Sequence, residues 1–134
     1  MLFSDKDVLL IFEDDVHSVI PQYQLNITLA EELQQMSTDI LFLGWCEGRL
    51  AKPVPLCAHA YAVTRAGARR LVKYYEPCGK AVDEQFVMMA KNQWISYRRA
   101  NAWSYKNHRE GIQISRKTNG IFRQNLELGS INNH

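Results

Sequence analysis

Five apolar residues stopped by three consecutive carboxylates, in the stretch Val8-Leu9-Leu10-Ile11-Phe12-Glu13-Asp14-Asp15-Val16, narrow the folds open to this chain more than any other segment. Apolar residues without alternation, bounded by polar ones, predict a strand covered on both faces, as in a parallel sheet flanked by helices. In such sheets ligands bind beyond the carboxyl ends of the strands. Adjacent acids repel one another unless a cation or hydrogen-bond donors offset their charge, so the cluster points to a site for a hard divalent ion. The same residues also suit a solvated turn that opens a helix.

The rest of the chain reads as further strands and helices. Thr28-Leu29-Ala30-Glu31 has the capping-box form and predicts a short helix from Thr28 to about Met36. Asp39 to Trp45 repeats the pattern of an apolar run halted by a glycine, Gly44, and predicts a second buried strand. The segment from Cys46 to Leu56, with Gly48, Pro53 and Pro55, is expected to be a loop at that strand's end, where a substrate-binding loop would sit. Ala58 to Thr64 is small and apolar enough for a third central strand, with Thr64 capping a helix from Arg65 to Tyr75. Ala68, Leu71, Val72 and Tyr75 give that helix its packing face. Val82 to Asn92 predicts another helix, and the helix dipole favours Asp83 and Glu84 in its first turn. Trp94 to Ala100 reads as a further strand. The sum is one α/β domain over 1–134, with its core in 7–100 and a polar, basic tract in 101–134 anchored by Ile112, Ile114, Ile121 and Phe122.

Composition excludes some classes of function. With 46% hydrophobic and 22% charged residues, the 134-residue chain is ordinary for a globular domain, and a net charge of +2 gives no reason to propose nucleic acid as a partner. From Tyr97 to Arg123 the only acid is Glu110, so that tract suits either a phosphate or a solvated surface. No apolar run approaches the roughly 18 residues that span a bilayer, and the N-terminus lacks a basic region followed by an apolar one. Three cysteines, Cys46, Cys57 and Cys78, cannot all pair within one chain, and none has C-x-x-C spacing. They read as buried thiols, or as one disulfide and one free thiol in a secretory protein. In that second case Asn26-Ile27-Thr28 would be a glycosylation sequon, although such tripeptides often arise by chance.

Taken in order, the motifs resemble glycosyltransferase family 25, which includes bacterial lipopolysaccharide galactosyltransferases and animal procollagen galactosyltransferases. The family's apolar strand followed by Glu-Asp-Asp resembles Leu10-Ile11-Phe12-Glu13-Asp14-Asp15-Val16, and its next strand, ending in Leu-Gly, resembles Asp39 to Gly44. Its His-x-Tyr strand running into a Gly-Ala helix is similar to His59-Ala60-Tyr61-Ala62-Val63-Thr64-Arg65-Ala66-Gly67-Ala68, and its Val-Asp helix start to Val82-Asp83-Glu84. Phe122-Arg123-Gln124 followed by Gly129-Ser130-Ile131 is a weaker likeness to the family's ending. Each motif alone is common, whereas four in order across residues 8–90 are hard to obtain by chance.

The resemblance implies a GT-A fold, a Rossmann-like sheet that binds a nucleotide sugar, and transfer of a sugar, often galactose from its UDP donor, with inversion at the anomeric carbon. It implies a divalent cofactor, Mn²⁺ or Mg²⁺, with Asp15 as metal ligand and Glu13 and Asp14 on the ribose, the sugar or the metal's water. Asp83 or Glu84 would take the proton of the attacking hydroxyl, with Asp83 slightly preferred. His59 is read either as a core histidine hydrogen-bonded to backbone or as a contact to the donor sugar, and Arg65 as a phosphate contact at a helix start. Trp45 suits packing or stacking on a sugar, and His108 is a possible late metal ligand by position alone. Partners would be the nucleotide sugar and a glycan or protein acceptor. The compartment would be the endoplasmic reticulum or Golgi lumen in a eukaryote and the cytoplasmic face in a bacterium.

The chain also departs from the family. Family members carry a substantial region before the Glu-Asp-Asp strand, whereas seven residues precede Val8 here, so the fold is expected to be incomplete at the N-terminus, with half of the donor site missing and a sheet edge uncovered. A non-catalytic remnant that binds a partner is therefore the main alternative. A phosphorylation-dependent receiver domain, of similar length and with an acidic pair after its first strand, lacks its reactive aspartate here, since no Asp lies between residues 40 and 82.

Overall fold

The computed structural model describes residues 8–46, 56–100 and 118–124. In chain order the elements are β1 (Val8–Phe12), β2 (Val16–Ser18), α1 (Gln22–Gln34), β3 (Ile40–Cys46), β4 (Leu56–Thr64), α2 (Arg65–Tyr74), α3 (Val82–Lys91), β5 (Tyr97–Arg99), β6 (Thr118–Gly120) and β7 (Phe122–Gln124). The main sheet has the order β1-β4-β3-β5, with β6 paired to the second half of β3, and a small second sheet joins β2 to β7. The fold is thus α/β, as the mixture of strand and helix patterns predicts. The sheet is mixed rather than parallel: β4 runs antiparallel to both β1 and β3, and only β5 runs parallel to β3.

The apolar runs differ in how deeply they are buried. Ile40, Leu41, Phe42 and Leu43 of β3 are all sealed from solvent, as expected of a strand covered on both faces. The equally apolar β1 lies at the end of the strand order, half-buried along Val8 to Ile11, with β4 as its one partner among the described strands. An apolar run marks a strand that packs, and carries no information about its depth or about the direction or number of its neighbours.

Side-chain alternation along β5 shows how the layers are stacked. Tyr97 meets Phe42 edge-on, and Phe42 in turn meets Phe86 of α3. The next residue, Arg98, points to the opposite face, where its guanidinium pairs with Glu32 of α1 at 2.9 Å. Helices α1 and α3 therefore cover opposite faces of the sheet. At one end of β3, the Asp39 carboxylate accepts from Arg70 of α2 at 2.7 and 2.9 Å and from the Ser96 N–H at 2.9 Å, while the Asp39 N–H donates to Ser96 Oγ. This knot ties α2 and the approach to β5 to the start of β3.

Two helices depart from expectation. Helix α1 begins at Gln22, with the Pro21 carbonyl accepting from the Gln24 and Leu25 N–H groups, so Thr28 sits mid-helix and caps nothing. A capping box satisfies donors orphaned at a helix start, and no such donors remain a turn and a half into a helix. In α2 the Thr64 hydroxyl does accept from the Gly67 N–H at 3.0 Å. Its packing face, however, runs through Gly67, Ala68, Leu71 and Tyr74, leaving Val72 80% exposed and Tyr75 outside. Gly67 sets that rotation, because a Cβ there would lie 2.6 Å from the Asp39 carbonyl oxygen. The strand expected from Trp94 to Ala100 is confined to Tyr97–Arg99.

Ile121 and Phe122, expected to anchor the C-terminal tract, are buried in the same core as β3 and β4. Ile112 and Ile114 lie outside the described residues, as does most of the Cys46 to Leu56 loop. Cys57 is disulfide-bonded and Cys78 is a free, exposed thiol, which replaces the reading of three buried thiols. Among the described residues no helix is long and apolar enough to cross a membrane.

Candidate functional site

Strand β1 delivers Glu13, Asp14 and Asp15 to the end of the sheet where β4 begins. The Glu13 N–H donates to the His59 carbonyl at 3.0 Å, extending the β1–β4 ladder one residue beyond Phe12. Strand periodicity then places Glu13 on the face shared by Ile11, His59 and Tyr61. That is the α3 face, since the Tyr61 ring meets Phe86 edge-on at 5.3 Å. Asp14 and Asp15 form the turn into β2; Glu13 and Asp14 are exposed, whereas Asp15 is half-buried. The Asp15 Oδ1 atom is itself buried, with no hydrogen-bond partner among the described residues.

Asp83 reaches the same sheet end from the first turn of α3. Its Oδ2 accepts from the Cys57 N–H at 3.4 Å and its Oδ1 from the Glu84 N–H at 2.9 Å. Glu84 is exposed. The opening residues of β4 thus carry the Asp83 contact at Cys57 and the Glu13 contact at His59. Cys57 adopts a left-handed backbone, φ 58°, a conformation costly for a residue with a side chain. That twist, together with its disulfide, fixes where its N–H points.

His59 lies beneath this edge, fully buried, with Nε2 3.1 Å from the Phe122 carbonyl oxygen. Burial pushes its pKa below 6.5, and the Phe122 carbonyl and the charges of Glu13 and Asp15 offset part of that effect. The ring occupies space that only a glycine leaves open: a Cβ on Gly44 would stand 2.5 Å from His59 Nε2 and would also meet the Phe122 carbonyl oxygen. The structure therefore gives His59 the core role, and a sugar has no access to it. Tyr61, on the same face, has its phenol pKa raised above 10 by burial first and the Glu13 charge second. Trp45 is likewise buried, in a packing role.

Arg65 does not join the carboxylates. It follows Thr64, which pairs with Val8, whereas the carboxylates follow Phe12, so Arg65 stands at the opposite end of the sheet. Six residues of extended chain separate it from His59, a span of about 20 Å, so Arg65 does not share the sheet end that holds Glu13 and Asp15. Its end of the sheet also holds an open groove of about 610 Å³ whose lining includes Arg70, Tyr74, Trp94 and Tyr97, with Tyr74 stacked on Trp94 at 4.6 Å. This groove is remote from the acidic edge. His108 lies outside the described residues.

Two contributors to the site carried no signal in residue type. The Cys57 N–H and the Phe122 carbonyl are backbone groups, and any sequence supplies those. Gly44 was visible as the stop of an apolar run, while its use as the floor beneath His59 emerges only when β3 and β4 are paired. Among the described residues no three His, Cys, Asp or Glu side chains gather closely enough to hold a metal ion by themselves. Compared with known proteins, the chain matches no family model, no curated protein and no solved structure.

Proposed function

We propose that the chain is a GT-A-type glycosyltransferase domain that moves a sugar, galactose by its family resemblance, from a UDP-sugar to a hydroxyl on a glycan or protein acceptor, with inversion. The observation that carries this reading is the arrival of Glu13, Asp15 and Asp83 at one end of the sheet, with Glu13 and Asp83 each hydrogen-bonded to the first residues of β4. Metal-assisted inverting transfer needs a group that holds the cation and a separate carboxylate base. Asp15 suits the first role, since a half-buried carboxylate with one oxygen unpartnered among the described residues lacks donors there to stabilise its charge. A divalent ion, Mn²⁺ or Mg²⁺, would take that oxygen as one ligand and, when bound, stabilise the charge that grows on the departing diphosphate.

Asp83 is the base in this reading. The Cys57 and Glu84 N–H groups orient its carboxylate, and its place at the start of α3 keeps it separate from the Asp15 turn in sequence. Glu13 and Asp14, both exposed, remain for the ribose, the sugar or the metal's water. The test is calorimetry of the folded chain with UDP in the presence and absence of Mn²⁺, followed by transfer assays. Saturable UDP binding that requires Mn²⁺ is expected, lost in Asp15→Asn and kept in Asp83→Asn. Transfer by Asp83→Asn should fall by about 10²- to 10⁴-fold, the usual range for loss of a general base. A folded chain that binds no UDP under these conditions would instead support a non-catalytic binding module.

A further inference from the structure

Helix α1 has an unusual outer face. At about 100° per residue, Tyr23, Ile27, Ala30, Glu31 and Gln34 fall on one side of it with Asn26 at the edge, and all are exposed. Leu25, Leu29 and Leu33 pack on the core, and Glu32 is buried in its pair with Arg98. Glu31 is the one charged residue on this outer side, and beside it Tyr23 is 75% exposed and Ile27 62% exposed. Between them lies Asn26, the asparagine of the one Asn-X-Ser/Thr tripeptide in the chain.

We propose that Asn26 is an N-glycosylation acceptor and that the first sugar of its glycan covers Tyr23 and Ile27. Three separate observations meet here: the tripeptide, its exposed position on α1 beside Tyr23 and Ile27, and the disulfide at Cys57, which belongs to an oxidising compartment. Residues three apart on a helix are neighbours, so a sugar on Asn26 lies beside the Tyr23 ring, whose face accepts the C–H groups of a pyranose. The co-reactant is a lipid pyrophosphate-linked oligosaccharide presented by a membrane oligosaccharyltransferase. A bond forms between Asn26 Nδ2 and the anomeric carbon of the N-acetylhexosamine, the carbon–oxygen bond to pyrophosphate breaks, and the lipid pyrophosphate leaves with the bonding pair. Nδ2 gives up one proton to the transferase. The reaction occurs on the emerging chain before α1 forms, so its mid-helix position is no obstacle, and the folded protein need only leave room outside Asn26.

The experiment is secretion of the full chain from a eukaryotic host, with intact mass and peptide mass spectrometry before and after peptide N-glycosidase. The expected result is one glycan, removed by the enzyme with conversion of Asn26 to aspartate. It should be absent from Asn26→Gln and Thr28→Ala and retained in Thr28→Ser. Binding of an apolar dye to the folded protein should rise after deglycosylation and fall again when Tyr23→Ser and Ile27→Ser are added. A secreted wild-type chain with its Cys57 disulfide intact and no glycan would overturn the proposal, as would a glycan that persists in Asn26→Gln. Dye binding unchanged by deglycosylation would overturn the covering of Tyr23 and Ile27.

Discussion

A fully buried imidazole hydrogen-bonded to a carbonyl links the stability of this protein to pH. The His59 pKa lies below 6.5 in the folded chain because burial disfavours the imidazolium, and it returns to about 6.5 when the chain unfolds. Below pH 6.5 the unfolded chain therefore binds a proton that the folded chain refuses. The contribution of His59 is complete above that pH and is lost progressively as pH falls beneath it. Urea unfolding between about pH 5 and pH 8 should show stability rising with pH by up to about 1.4 kcal/mol per unit from this one group. His59→Gln, which keeps a donor for the Phe122 carbonyl, should flatten that part of the curve. An unchanged slope would show that carboxylates dominate there. The histidine was legible in the sequence as a residue of a central strand, with core and ligand roles both open. Its depth is decided by Gly44, whose missing side chain gives the ring its place.

Helix α2 shows how far local rules reach and where they stop. Thr64 was recognisable as its cap because capping depends on neighbours in sequence, and the hydroxyl accepts from Gly67 as expected. The rotation of the helix differs from the expected one because periodicity alone allows several adjacent stripes. What selects among them is the approach of Gly67 to the Asp39 carbonyl, a contact across 28 residues. Two substitutions separate these effects. Thr64→Ala should cost about 1 kcal/mol, the usual value of a lost cap. Gly67→Ala, although alanine is the better helix former, should cost about 1–3 kcal/mol, because the backbone of Asp39 cannot yield to the added carbon. Chemical denaturation measures both, and a stabilised Gly67→Ala variant would show that α2 can lift from the sheet freely. Helix α1 teaches the converse, since Thr28 and Glu31 matched a start signal in a segment already helical from Gln22.

For the whole molecule, the question is whether the distant β6 and β7 belong to the same cooperative unit as the strands that precede them. Ile121 is sealed in the core, and its N–H donates to the Leu43 carbonyl at 2.7 Å while its carbonyl accepts from Val19 at 2.9 Å. Ile121→Ala should therefore destabilise the protein by about 2–5 kcal/mol in a single transition shared by every probe. A separate early transition would show that this segment docks on a core already formed. By itself the sequence determined that the chain mixes strands with helices, that 40–43 lie deep in the core, and that three carboxylates end the first strand. These follow from hydrophobic burial and local capping, which act residue by residue. The tertiary structure alone decided that the sheet is mixed, that β1 takes its outer position, that Asp83 comes to the carboxylate end and that Arg65 goes to the other. Strand order and direction depend on which surfaces fit best across long stretches of chain, and that choice belongs to the packed molecule.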